Sequence, residues 1–439
     1  MRDLLPREAW QRRTLARHVL THFALHGYEL VTPPAFELAE VLERGLGALD
    51  PADVLRFVEP ESGEVAALRP DMTPQLARMV ATRLSREPPP IRLCYEGTIV
   101  RRRQGRARRH RQVPQAGVEL YGRAAPAGDV EILRLVASVI RAAGLERFVV
   151  DVGHASVARA LVEPLPPGLS TEITEALVSK DTSRLDDLLR SPAASRLPAR
   201  LAAAIAELPE MQGGGAADPG ATALFARAER LLAGTPAETP LRELRALWNA
   251  ARRPPAEGAG ADLGDVLRID LGEVRGFAYY TGVIFHVLAG GPGESIAAGG
   301  RYDDLLARFG APLPAVGFAL QLDAVAWARE AAGIVDSPPP RVLVALGQGS
   351  EELAAALRAR GIAAVVYGNE EFVERGDLDD TDVDSYARAW RFTHRLARAQ
   401  GGDGAAGDLE LTILAGDAGA SRRIPGDGAI SALVDQILT

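Results

Sequence analysis

The chain has 439 residues, 47% of them apolar and 25% charged, with a formal net charge of -8, which is enough sequence for two or three packed domains, each with its own core. A single cysteine, Cys94, excludes internal disulfides and thiolate metal clusters, and the negative balance argues against a general nucleic-acid binder, whose domains present a basic face. No apolar run approaches the roughly 20 residues that span a bilayer, and the opening MRDLLPREAW is charged where a secretory signal is apolar, so no membrane role and a reducing cytoplasm are expected.

The stretch from Arg7 to His26 carries apolar positions at helical spacing, and YELVTPPAFEL then alternates and breaks at its proline pair, which predicts a helix followed by a strand and a loop. Taken alone, LRPDMTPQLARM from Leu68 reads as a tight turn at Pro70 entering a helix. IRLCYEGTIV and QAGVELYG have the alternation and β-branched content of two strands, and APAGDVEILRLVASVIRAAGL that of an amphipathic helix. Between the two strands lies VRRRQGRARRHRQ. Its seven arginines from Arg101 to Arg111 repel one another and must be exposed or neutralised by an anion or an acidic partner.

Strand signals vanish from about Ala155 to Arg253, where helical patterns such as TEITEALVSK and LPARLAAAIAEL alternate with loops rich in Gly and Pro. They return with VLRIDLG, AYYTGVIFHVLAG and the turn GGRYDDLL, after which FALQLDAVAWAREAAG is expected to be a helix closing the unit near Gly333. SPPP reads as a stiff linker, and RVLVALG, EELAAALRARG and AAVVYG spell strand, helix, strand. The expected architecture is α+β. An antiparallel sheet flanked by helices spans 1–333 with a helical insertion at 155–262, a linker covers 334–340, and a C-terminal α/β domain covers 341–439.

No Walker loop, HExxH or GxSxG sequence is present. His18, His22 and His26 fall one helical turn apart, which fits a helix face better than a metal site, so no metal, cofactor or catalytic residue is assigned.

Taken in order, LRPDMT, the arginine run with QAGVELYG behind it, VRGFAYYTG from Val274, and AAGGRYDDLL followed by AVGFALQLDAV resemble the core of histidyl-tRNA synthetase, a class II synthetase. A histidine pocket needs an acceptor for the ammonium, a cation for the carboxylate and polar groups that read the imidazole edge. The resemblance implies these roles for Asp71 and Thr73 (amino group), Arg101 and Arg275 (carboxylate and the adjoining phosphate), Gln115 and Glu119 (facing the bound histidine), and Tyr279 and Tyr280 (enclosing the imidazole). The family more often has Glu at Asp71 and Asp at Ala278.

The resemblance fails where ATP would be held. A glutamate that reads adenine is replaced by Arg103, which cannot accept adenine's amino group, and the closing arginine is replaced by Ala324, with Gln321 and Asp323 beside it. Losing one preorganised donor costs about 3 kcal/mol. Two independent losses of that size approach a ten-thousandfold lower rate, on the order of what would abolish useful adenylation.

A core that keeps the amino-acid pocket and loses the ATP contacts resembles the regulatory-subunit family of ATP phosphoribosyltransferase, the first enzyme of histidine biosynthesis. The likeness runs to about residue 330 and includes DVGHASVARAL and the pair Lys180 and Asp181, Lys180 being the single lysine. It implies a non-catalytic partner of the short-form catalytic subunit in a hetero-oligomer with a self-dimerising core, binding L-histidine as the feedback signal. The acidic segment NEEFVERGDLDDTDVD from Asn369 would repel tRNA phosphates. It suits a degenerate remnant or oligomer-contact module better than an anticodon binder. The alternatives are a divergent active histidyl-tRNA synthetase and a paralogue that binds another small molecule.

Overall fold

The computed structural model describes residues 3–46, 54–101, 111–214, 219–254, 262–273, 279–345, 349–367, 380–399, 408–414, 421–425 and 430–438. The chain divides into two compact units, Met1–Val335 and Asp336–Thr439.

The first unit opens with helix α1 (Pro6–Leu25), with proline in its first turn, where a missing N–H costs nothing. Leu15, Ala16, Val19 and Phe23 form its buried stripe. Gly27, at φ 80°, ends it, because the backbone there must turn left-handed for Tyr28 N–H to reach the Phe23 carbonyl at 3.1 Å. Next come β1 (Glu29–Leu30), β2 (Phe36–Leu38), α2 (Ala39–Leu46), β3 (Arg56–Val58), β4 (Val65–Leu68) and α3 (Thr73–Arg83). The long strands β5 (Ile91–Val100) and β6 (Gln112–Tyr121) precede α4 (Ala127–Ala142) and β7 (Phe148–His154).

The insertion holds α5 (Ala155–Val162), α6 (Pro167–Ser179), α7 (Thr182–Arg190), α8 (Ala199–Glu207), the two-residue strand β8 (Gln212–Gly213), α9 (Pro219–Leu232) and α10 (Glu238–Ala251). The strands β9 (Leu267–Asp270), β10 (Val283–Ala289), β11 (Ala297–Arg301) and β12 (Ala315–Gln321) and helix α11 (Leu322–Ala331) complete the unit.

Among the described residues β1-β5-β6-β12-β11-β10-β7-β9-β8 form one sheet, and β2-β4-β3 a small separate one. From β5 to β7 the pairing is antiparallel, whereas β1 joins β5 and β9 joins β7 in parallel. The period-2 alternation of strand side chains explains its two faces. On one, Cys94, Ala116, Val118, Leu120, Val316, Phe318 and Leu320 pack against α1 and α4 in an apolar core. On the other, Leu93, Tyr95, Ile99, Tyr121 and Ala315 join α3 residues Leu76 and Val80 and the tyrosines Tyr279 and Tyr302. The second face carries the polar residues.

Three details differ from the sequence expectations. Phe318–Gln321 belong to β12 and the helix starts at Leu322, because pairing with β6 through Gln321 overrides an apolar run that either period can accommodate. Tyr279 and Tyr280 precede β10 and lie outside it. The insertion is not free of strand, since β8 pairs with β9.

In the second unit β13 (Arg341–Ala345), α12 (Ser350–Arg358), β14 (Ala363–Val366), α13 (Asp380–Ala389), β15 (His394–Arg398), β16 (Leu409–Ile413), β17 (Ser421–Ile424) and α14 (Ile430–Leu438) follow one another. The sheet order is β14-β13-β15-β16-β17, parallel over the first three and antiparallel beyond. Val342, Val344 and Leu396 face Leu357, Leu433 and Ile437 on one side, while Leu343 packs with Val383, Ala387 and Phe392 on the other. That is an α/β layer arrangement. Of the acidic segment from Asn369, the part up to 379 lies outside the described residues.

Candidate functional site

The polar face of the large sheet is built around glycines. On β6 the alternation places Gln115, Gly117, Glu119 and Tyr121 on one face, and β12 sets Gly317 opposite Glu119 and Gln321 opposite Gln115. A Cβ on Gly317 would occupy the space of Glu119 Oε2, and one on Gly117 would lie 2.5 Å from the Tyr95 phenol. Each glycine therefore leaves room for a neighbouring strand's polar side chain.

Asp71 enters from the turn between β4 and α3, and Thr73 from the first residue of α3. Arg69 fixes that turn, donating from Nε to the Thr98 carbonyl at 2.9 Å and from Nη1 to the Pro33 and Pro34 carbonyls at 2.9 and 3.0 Å. Asp71 Oδ1 accepts from the Met72 N–H at 2.7 Å, and Oδ2 accepts from the Tyr279 hydroxyl at 2.7 Å. Thr73 Oγ1 donates to Glu119 Oε1 at 2.7 Å, and the Tyr302 hydroxyl donates to Glu119 Oε2. Two carboxylates are thus buried side by side, Asp71 5% and Glu119 1% exposed, and each is held by a tyrosine.

Burial pushes the Glu119 carboxyl up to about 8; the Tyr302 and Thr73 hydroxyls oppose that rise and the Asp71 charge adds to it. The phenols of Tyr279, Tyr280 and Tyr302 are likewise raised, first by burial and then by the same carboxylates. Tyr279 stands 4.9 Å from the Tyr280 ring and 5.6 Å from the Tyr302 ring, the latter edge to face. Gln115 Oε1 and the Tyr95 hydroxyl are buried with no hydrogen-bond partner among the described residues. In a desolvated site such atoms are costly unless a bound group satisfies them.

Asp71, Thr73, Glu119, Tyr279 and Tyr280 therefore converge, with Gln115 further along β6. Arg101 continues from β5, its N–H donating to the Arg111 carbonyl at 2.9 Å, and its charge acts on the Tyr280 phenol. Arg275 and Ala278 lie outside the described residues, as do Arg103 and the run from 102 to 110. Gln321 closes β12, and Ala324, in the first turn of α11, is buried in an apolar cluster that includes Leu322, Val325 and Ala328.

Sequence reasoning passed over several contributors. Tyr302 was visible only as part of GGRYDDLL, and Tyr95 as one apolar position of a strand. The insertion's first helix also supports the site from behind: Arg159 Nη2 donates to the Tyr280 carbonyl at 2.9 Å and Ser156 Oγ to the Thr281 carbonyl at 3.0 Å. Lys180, left-handed at φ 52°, bonds Asp270 Oδ2 at 2.7 Å and so ties the insertion to β9, while Asp181 caps α7 through the Arg184 N–H.

The histidyl-tRNA synthetase family profile matches residues 1–325. An ATP phosphoribosyltransferase regulatory subunit from an Anaeromyxobacter species is 43% identical over 335 residues, covering 76% of this chain and 92% of the relative. One from Syntrophotalea carbinolica is 32% identical over 422 residues, 94% and 92% of the two chains. Among solved structures, an ATP phosphoribosyltransferase regulatory subunit/histidyl-tRNA synthetase from Bacillus halodurans superposes with a TM-score of 0.71 at 25% identity, covering 88% of this chain and 94% of the other. A histidine–tRNA ligase subunit from Alicyclobacillus acidocaldarius gives 0.63 at 31%, covering 76% and 96%. The core is a class II synthetase fold of the histidyl type, and the chain belongs to the ATP phosphoribosyltransferase regulatory subunit family.

Proposed function

We propose that this chain is a non-catalytic subunit that binds L-histidine in the pocket of Asp71, Thr73, Gln115, Glu119, Tyr279 and Tyr280, with Arg101 and Arg275 at the carboxylate end. In this reading it assembles with the short-form catalytic subunit of ATP phosphoribosyltransferase, supports its activity and conveys histidine feedback. The observation that carries the reading is the buried pair Asp71 and Glu119. Each oxygen that accepts from Tyr279, Thr73 or Tyr302 keeps a second lone pair. Such a site favours a small, donor-rich cation, which an amino acid with an ammonium and an imidazole supplies.

Ala324 supports the non-catalytic half of the proposal. A methyl group in an apolar cluster offers no donor to a developing phosphate charge. Feedback then requires that histidine bind one arrangement of the assembly more tightly than another, and the coupling equals that difference. We assign the unit Asp336–Thr439 to oligomer contacts.

The competing reading, an active histidyl-tRNA synthetase, draws on the 31% identity to the histidine–tRNA ligase subunit. One preparation separates the two. Calorimetric titration with histidine is expected to saturate, while histidine-dependent exchange of pyrophosphate into ATP is expected to stay at background; exchange at an ordinary synthetase rate refutes the proposal.

A further inference from the structure

A second site lies on the opposite, apolar face of the sheet. There the end of α1, β5, α4 and the end of α10 border an open cleft of about 970 Å³, lined by Tyr28, Arg92, Arg123, Glu131, Arg134 and Arg253 together with His26 and mainly apolar residues. We propose that this cleft binds a small polyvalent anion of the phosphate-ester or polyphosphate class. The proposal is independent of the histidine reading.

Four arginines meet a single carboxylate in the cleft, in a chain whose formal charge is -8. Glu131 is already fully engaged. It accepts from the Tyr28 hydroxyl at 3.1 Å, from Arg92 Nε and Nη2 at 2.8 and 3.1 Å, and from Arg123 Nη1 at 2.5 Å. One carboxylate therefore aligns two guanidiniums and neutralises only one of them. Arg134 and Arg253 have no acidic partner among the described residues. Arg134 Nη2 donates to the Arg253 carbonyl at 2.8 Å, and its Nε is buried without an acceptor.

A guanidinium donor removed from water with nothing to bond is costly, and an anion recovers that cost. Arginine forks suit phosphate oxygens bidentately. The buried Leu135 and half-buried Val130 strengthen the attraction by lowering the local dielectric on that side of the cleft. The volume lies at the upper end of the roughly 300–1,000 Å³ typical of small-ligand clefts, so the site has space for an organic phosphate as well as for pyrophosphate.

The test is calorimetric titration of the full chain at low ionic strength with pyrophosphate and, separately, ATP. Saturable binding of both assigns recognition to the phosphate chain, and binding of ATP alone assigns it to a nucleotide. Either supports the site provided that Arg134→Gln/Arg253→Gln weakens it at least about tenfold. Arg253→Glu reverses a charge on an exposed side chain and is expected to do the same in a chain with an unchanged melting midpoint, which covers failure of the double variant to fold. No saturable binding of either probe at millimolar concentration, or unchanged affinity in Arg253→Glu, overturns the proposal.

Discussion

Thr73 and Glu119, 46 residues apart in sequence, are joined by a 2.7 Å hydrogen bond from Thr73 Oγ1 to Glu119 Oε1. The bond locks the first turn of α3 onto β6 and turns a buried carboxyl into part of a shared network with Tyr302, Asp71 and Tyr279. Removing one member is expected to disturb the others.

The pH dependence follows from Glu119. Its folded pKa of about 8 lies above the value of about 4.3 for an unfolded Glu, so the fold holds a proton that the unfolded chain releases. That contribution to stability is complete below about pH 4 and is lost as the pH rises to 8. Urea denaturation at pH 5 and at pH 8.5 is expected to show wild type losing on the order of a few kcal/mol more than Glu119→Gln across that interval. Equal losses in the two proteins would contradict the assignment.

Glu119 also couples ligand to proton. A bound cation favours the ionised carboxylate, so histidine binding near pH 7 is expected to release a proton. Titrations in buffers of different ionisation enthalpy would show a buffer-dependent heat, and Glu119→Gln would remove that dependence while weakening the affinity about tenfold or more.

Tyr279→Phe deletes one hydroxyl and leaves Asp71 Oδ2 buried without its donor. The expected cost is ~1–3 kcal/mol of stability together with weaker histidine binding, read by denaturation midpoint and calorimetry. Loss of affinity with an unchanged midpoint would mean that the tyrosine serves the ligand and not Asp71.

Gly317→Ala drives a methyl group into Glu119 and to within 2.5 Å of the Val118 carbonyl, which is backbone and cannot rotate away. It is expected to lower stability by ~1–3 kcal/mol or more and to abolish histidine binding. The control is Gly290→Ala, where nothing lies within 4 Å of the new methyl. A melting midpoint of Gly317→Ala equal to that of the control would show that β6 and β12 are further apart than described.

Much of this arrangement was legible in the sequence. The alternation of QAGVELYG placed Gln115 and Glu119 on one strand face, and helix α4 read directly from its apolar stripe. What stayed hidden was nonlocal. Tyr302 reaches Glu119 only because β11 and β12 bring the GGRY turn beside β6, and Arg159 finds the Tyr280 carbonyl only through the packing of the insertion on the core. The strand at Phe318–Gln321 was misread for a similar reason, since its partner on β6 lies two hundred positions upstream and no short window contains it. Arg275 and the arginine run between Arg101 and Arg111 gain nothing from the described geometry beyond Arg101 and Arg111 themselves.

The most direct measurement of the central claim is the rate of ATP phosphoribosyltransferase turnover by a purified short-form catalytic subunit, with and without this chain, across a histidine titration. Turnover should rise on adding the chain and fall again as histidine saturates, with Glu119→Gln shifting the inhibition to higher histidine. Turnover indifferent to the chain and to histidine would contradict it.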